Sequence, residues 1–404
     1  MGAPDTTEPK PFPWVGLLTL SALIFMMVTS EFLPTGLLPE ISQQLDVSES
    51  QVGLLITVFA GTVVLTAAPL SILTRHYSRK SLVIVVLIVF VLGNVLAALA
   101  PNYPVLVVAR VIGGLAHGLF WSVVGAYSAH LVPKHQLARA VSITGGGGTA
   151  AFVLGVPLGT ALGHSLGWRL AFGILAGAVV VLTVVTARLL PPVSHGETLG
   201  TGEIPLPMRK DSTVPGVIIV GVIIVLVALG HNLFYTYIAP FLIGPVGFDP
   251  GSVAGVLFLY GGAGAVGLVL AGTLGDRFPR GAMIGAIVFV LFSVTLLAAF
   301  AHVQWVTLVA VGIWGASFGA LPSLLQARML HTASLRVRDV AAAYFTTSFN
   351  FAIGMGALLG GLLLDRLGVG ILPWVDIAIT AAGLVLVVLG NAWLARRDAA
   401  RRHP

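Results

Sequence analysis

Cysteine is absent from the sequence, and only 9% of its 404 residues are charged. The first absence excludes a disulfide-stapled secreted scaffold. The second says more, because a water-soluble domain carries about 25% charged residues to clothe its surface. Here 57% of the residues are hydrophobic and the mean hydropathy is +1.01. That balance excludes soluble enzymes and disordered chains and puts the chain in lipid. Signatures of chemistry are missing too. Gly145 to Gly148 with Thr149 has no P-loop lysine after it, His130 and His135 have no carboxylate beside them for a metal site, and no Ser, His and Asp grouping suggests hydrolysis. No cofactor, metal or nucleic acid is expected. The net charge of +6 falls in small clusters between apolar runs, as membrane loops require.

What the chain has in abundance is apolar runs long enough to span a bilayer, whose hydrocarbon core of about 30 Å takes about 20 helical residues. Twelve are expected, at 14–38, 50–73, 82–100, 104–131, 138–163, 168–190, 214–240, 252–274, 282–301, 304–329, 338–364 and 371–395. The residues before the first run show no short apolar core with a small-residue cleavage site, so that run is read as a retained helix. An all-α membrane protein follows. Loop charge orients it: 18 of the 21 Lys and Arg residues fall on the side that holds both ends, against Arg169 and Arg366 opposite and Arg110 within a span. The positive-inside rule makes that side cytoplasmic.

Sliding the chain along itself by 201 residues pairs Thr35 with Thr236, Pro39 with Pro240, Gly114 with Gly315, Gly118 with Gly319, Gly155 with Gly356 and Gly159 with Gly360. A single offset that aligns turn and packing residues over many spans predicts two six-helix halves. The expected domains are residues 1–190, a Pro- and Gly-rich cytoplasmic linker at 191–213, and residues 214–404.

These residues resemble the major facilitator superfamily, and within it the twelve-helix drug and proton antiporters. Arg75-His76-Tyr77-Ser78-Arg79-Lys80 is similar to that family's basic loop after the second helix, and Gly272-Thr273-Leu274-Gly275-Asp276-Arg277 is its counterpart in the second half. Arg75 stands where the family usually has Asp, so a helix-capping ion pair is implied only for Asp276. Arg110 through Gly118 is similar to the fourth-helix motif. Gly155-Val156-Pro157-Leu158-Gly159 is similar to the fifth-helix antiporter motif, with Val156 added. More narrowly, Ser30-Glu31-Phe32-Leu33-Pro34-Thr35-Gly36, His117-Gly118-Leu119-Phe120-Trp121-Ser122 and the fifth-helix motif resemble bacterial sugar efflux transporters. The resemblance implies a monomeric inner-membrane carrier with the first, fourth, seventh and tenth helices around a central cavity. It also implies conformational gating by Arg75, Arg79, Lys80, Asp276, Arg277, Gly155, Pro157 and Gly159.

Independently, charge at membrane depth marks function, because it costs several kcal/mol in hydrocarbon and is kept where it lines a pathway or finds a partner. Glu31 lies roughly 25 Å along the first helix and Arg110 roughly 9 Å into the fourth, both in the outer half, so they can pair. A carboxyl acted on in opposite senses by a guanidinium and by exclusion from water can carry a proton. His117 and Trp121 share the stripe of Arg110 and are candidates for proton relay and cargo contact. The offset carries Glu31 onto Asn232 and Arg110 onto Val311, so only the first half is expected to be charged. His231, Asn232 and Tyr235, sharing a face of the seventh helix, and Asn350 are expected to bind cargo, with Tyr237, Tyr260, Trp314 and Gln326 as weaker candidates.

With no fuel-binding motif, the chain is expected to export a small sugar or glycoside against a proton gradient, its non-protein partners being the cargo and the bilayer. An amphenicol-like drug and an uncoupled facilitator are the alternatives.

Overall fold

The computed structural model describes residues 12–74, 76–133, 136–191, 211–334 and 336–402. Among them every regular element is helical, and twelve helices are long and apolar enough to cross a membrane. The first, α1 (Trp14–Gly36), is followed by the short α2 (Leu38–Leu45), which buries Leu38 and Ile41 and ends at Asp46 in the left-handed region. A capping box then starts α3 (Glu49–Leu73): the Ser48 hydroxyl accepts from the Gln51 N–H, and the Gln51 side chain accepts from the Ser48 N–H. Ser78 and Asn102 cap α4 (Arg79–Ala98) and α5 (Tyr103–Leu131) by accepting from the Ser81 and Val105 N–H groups.

Two expected spans are interrupted, each near a proline. The fifth runs as α6 (Leu137–Ala150), a π turn at Ala151–Gly155 and α7 (Val156–Leu166). Pro157 has no N–H for the carbonyl four residues back, and the widened turn just ahead of it accommodates that loss and the added Val156. The seventh, expected as one helix over 214–240, is α9 (Val214–Tyr235) followed by α10 (Ile238–Ile243), because Pro240 cannot continue an unbroken helix. The remaining spans are α8 (Trp168–Leu189), α11 (Val253–Arg277), α12 (Pro279–Ala299), α13 (Gln304–Thr332), α14 (Arg338–Leu367) and α15 (Leu372–Arg402). Glycines with positive φ, Gly167 and Gly368, turn the chain before α8 and before α15.

In lipid, helices associate through close packing of small residues. The offset of 201 recurs in that packing. A β-carbon on Gly114 would strike the Phe59 carbonyl, and one on Gly315 would strike the Tyr260 carbonyl; Gly118 lies on Val63, and Gly319 on Gly264.

Contacts between the first six spans and the last six gather at the end away from the chain termini, called here the distal end. Ser50 donates to Asp365 Oδ2 at 2.6 Å and Thr57 to the Gly354 carbonyl at 2.9 Å, bonding α3 to α14. The Tyr237 hydroxyl fills the space over Gly53, and Gly261 of α11 lies on the Phe152 carbonyl in the π turn. These contacts seal the first six spans to the last six at the distal end.

Candidate functional site

Helix α1 delivers Glu31, and α5 delivers Arg110 and His117, to one buried spot; the three are 4%, 3% and 1% exposed. Glu31 Oε2 lies 3.5 Å from His117 Nε2. The expected carboxylate–guanidinium pair is replaced by a different arrangement. Arg110 donates through Nη1 to the Ser30 carbonyl and through Nη2 to the Glu31 carbonyl, both at 2.9 Å, and its guanidinium lies over the Phe59 ring at 4.2 Å. The cation is therefore fixed to the α1 backbone, where Pro34 lacks an N–H for the Ser30 carbonyl. Glu31 Oε1 has no partner.

Trp121, one turn beyond His117, donates its indole N–H to His117 Nε2 at 2.6 Å. Indole is a donor only, so Nε2 carries no hydrogen here and offers one lone pair, which Trp121 already uses. Behind Glu31, Ser30 donates to Asn94 Oδ1 at 2.7 Å, and Asn94 donates to the Phe90 carbonyl at 2.9 Å. Asn94, a lone amide inside the apolar α4, is a support that the sequence reading passed over.

On the other side, His231 centres an aromatic cluster. It stacks with Tyr235 at 5.2 Å between ring centroids and with Phe318 at 3.3 Å, and lies 5.0 Å from Trp314. Tyr260 approaches His231 Nε2 with its hydroxyl at 3.4 Å. The weaker candidates Tyr260 and Trp314 thus join His231 and Tyr235. Phe318 was missed, although it lies four residues beyond Trp314 on the same face. Two further rings bridge the Glu31 and His231 sites: Phe32 packs on Phe152 at 4.9 Å and on Tyr235 at 6.4 Å.

Other candidates go elsewhere. The Asn232 amide donates to its own helix at Ala228 O, and the Asn350 amide donates to Thr346 O. Tyr237 belongs to the distal seal, donating to the Ala357 carbonyl at 2.7 Å, and Gln326 is exposed. Gly155 packs on Thr29 and Gly159 on Leu33, so with Pro157 they form the α7 seam against α1. Arg79 and Lys80 occupy the first turn of α4, whereas Arg75 lies outside the described residues. Asp276 and Arg277 are exposed at the end of α11; Arg277 covers the Phe278 ring, and Asp276 makes no ion pair among the described residues.

The expectation of an uncharged second half needs correction. Asp376, in the second turn of α15, is wholly buried against α9. Its place near the start of an apolar run reads as an interfacial position, but Gly230 lets α9 close over it.

Twelve membrane helices around a buried polar and aromatic centre define a multi-pass carrier. The sequence matches the Major Facilitator Superfamily over residues 20–221 and again over 220–404. It is 32% identical over 380 residues to a probable sugar efflux transporter of Helicobacter pylori (strain G27), covering 94% of each chain. A probable sugar efflux transporter of Helicobacter acinonychis (strain Sheeba) is 32% identical over 361 residues, covering 89% of this chain and 90% of that one. Among solved structures, the nucleoside transporter NupG superposes with a TM-score of 0.75 at 15% identity, covering 93% and 98% of the two chains. A bacterial homologue of the human lysosomal transporter Spinster, inward-facing and occupied, gives 0.70 at 16% identity, covering 96% and 98%. The chain belongs to the Major Facilitator Superfamily and is a membrane transporter, not an enzyme.

Proposed function

We propose that this chain exports small sugars or glycosides in exchange for protons, by alternating access between two six-helix halves joined at 191–213. The name shared by its Helicobacter relatives supports the cargo class. Loop charge supports a bacterial inner-membrane setting with both termini in the cytoplasm, and on that orientation the sealed distal end makes this conformation inward-facing. The carrier works as a monomer, and the proton gradient is its only co-reactant.

The observation that carries proton coupling is the crowding at His117 Nε2. An ionised Glu31 would set a carboxylate lone pair against the nitrogen's lone pair at 3.5 Å, while Trp121 already donates to that nitrogen. A proton on His117 turns Nε2 into a donor toward Glu31 and expels the Trp121 N–H. Protonation of His117 and the Trp121 bond are therefore mutually exclusive, whereas a proton held on Glu31 leaves the Trp121 bond in place. Trp121 is half-buried, so cargo that reaches it and holds it in one position favours one protonation state and shifts the equilibrium by its differential affinity. Arg110, bound to the α1 backbone, supplies the fixed positive charge that the pair titrates against.

One observation favours an amphenicol-like cargo as a second reading. The amides of Asn232 and Asn350, expected to bind hydroxyls, are spent on their own helices, and the lining around His231 is chiefly aromatic. Proteoliposome flux of arabinose, a thiogalactoside and chloramphenicol, with and without a pH gradient, decides both cargo and coupling. Sugar flux that ignores the gradient would leave an uncoupled facilitator.

A further inference from the structure

The carboxyl of Asp376 has a setting unlike any other in the chain. Asp376 and Thr380, one turn apart on α15, are both 0% exposed. The Thr380 hydroxyl donates to Asp376 Oδ1 at 2.8 Å, and Oδ2 has no partner. Helix α9 covers the pair with bare backbone, since a β-carbon on Gly230 would lie 2.6 Å from both Oδ1 and the Thr380 hydroxyl. The next residue is His231, whose Nδ1 is buried without a partner, and Trp314 Nε1 beside it is in the same position.

The titratable group that approaches is Tyr260 on α11; on α9, His231 follows the covering Gly230 in the chain. Helix α12 offers only Arg280, at its opposite end; α14 offers Arg338, Asp339 and Tyr344 toward its opposite end and Asp365 and Arg366 in its exposed last turn. An ionised Asp376 would thus hold a full charge in the protein interior with one neutral donor and no cation against it. A neutral acid suits the same site far better.

We propose that Asp376 is a second proton-binding site, loaded in this conformation, whose proton exchanges with water during the transport cycle. Helix α9 is the coupling element, because it covers the carboxyl at Gly230, and Tyr237 just beyond its end enters the distal seal. Movement of α9 that opens the seal lifts its backbone from the carboxyl. Water then reaches the acid and takes up its proton. Loading stands by itself, whereas exchange rests on the proton coupling proposed above.

Two measurements test this. Infrared spectra of purified Glu31→Gln at neutral pH should retain a protonated-carboxyl band that Glu31→Gln/Asp376→Asn loses; no such band in the single variant overturns the loading. Should the Asn variant fail to fold, Thr380→Val removes the one donor at nearly constant shape and should shift the band, and an unmoved band refutes the assignment. In proteoliposomes, a tenfold proton gradient should sustain about a hundredfold cargo ratio if two protons exchange per cargo, and about tenfold in Asp376→Asn. A ratio unchanged by Asp376→Asn overturns the exchange. A wild-type ratio indifferent to the gradient instead overturns the coupling reading of Glu31, and the infrared band still decides the loading.

Discussion

Breaking the distal seal at one hydrogen bond should change how often that end opens, by a computable amount. Ser50 is 6% exposed and donates to Asp365 Oδ2 at 2.6 Å across the α3–α14 contact. Hydrogen bonds to charged groups contribute about 1.5–3 kcal/mol when buried, and Asp365 is exposed, so about 1 kcal/mol is expected here. Ser50→Ala should therefore raise the open-to-closed ratio roughly fivefold. The chain has no native cysteine, so a single introduced one reports cleanly. Ala60→Cys suits the purpose, being wholly buried and facing Gly354 of α14. Its alkylation by a membrane-impermeant maleimide added from the distal side should quicken about fivefold in the Ser50→Ala background. Asp365→Asn should quicken it by less, because a neutral acceptor remains, and Ser50→Ala/Asp365→Asn should add little to Ser50→Ala, since both remove the same bond. Equal rates in all backgrounds would refute the view that this contact holds the distal end shut.

Other perturbations address the site and the fold. Arg110→Lys keeps the charge but loses the two-pronged grip on the Ser30 and Glu31 carbonyls and the cover over Phe59, so transport should fall at least tenfold while size-exclusion behaviour stays normal. Outside the membrane, Asp211 accepts from the Ser334 hydroxyl and from the Thr213 side chain and backbone, and these bonds hold its carboxyl down to about 2, from an ordinary 3.8. A depressed acid stabilises the fold above its ordinary value and loses that contribution as the pH falls through the lower one. Thermal unfolding in detergent should show this acid-side loss between about pH 4 and pH 2 in the native protein, and a smaller one in Asp211→Asn.

Much of the architecture was legible because lipid imposes a length and a polarity on every span. All twelve spans were read to within a few residues, from α1 at Trp14 to α15 at Leu372, but neither the π turn in the fifth nor the break after Tyr235 in the seventh was foreseen. Glu31, Arg110, His117 and Trp121 were legible for a related reason: a charge or imidazole in an apolar run stands out, and helical spacing groups it with its neighbours. Partners across helices were not legible. Periodicity says that Arg110 and Glu31 share a depth, but not that the guanidinium grips backbone carbonyls and leaves the carboxyl to His117. Phe152 and Phe318 were hidden because an aromatic ring in a membrane helix looks like any other packing residue until its neighbours are known. Asp376 escaped notice because burial at a helix end depends on Gly230 of another span, which α15 alone does not reveal.

The central claim is that Glu31 and His117 exchange a proton as cargo binds. Unbuffered, detergent-solubilised protein should show a pH change in the medium when saturating cargo is added, and Glu31→Gln should lose most of that change while still binding cargo. An equal proton signal from native protein and from Glu31→Gln would contradict the account.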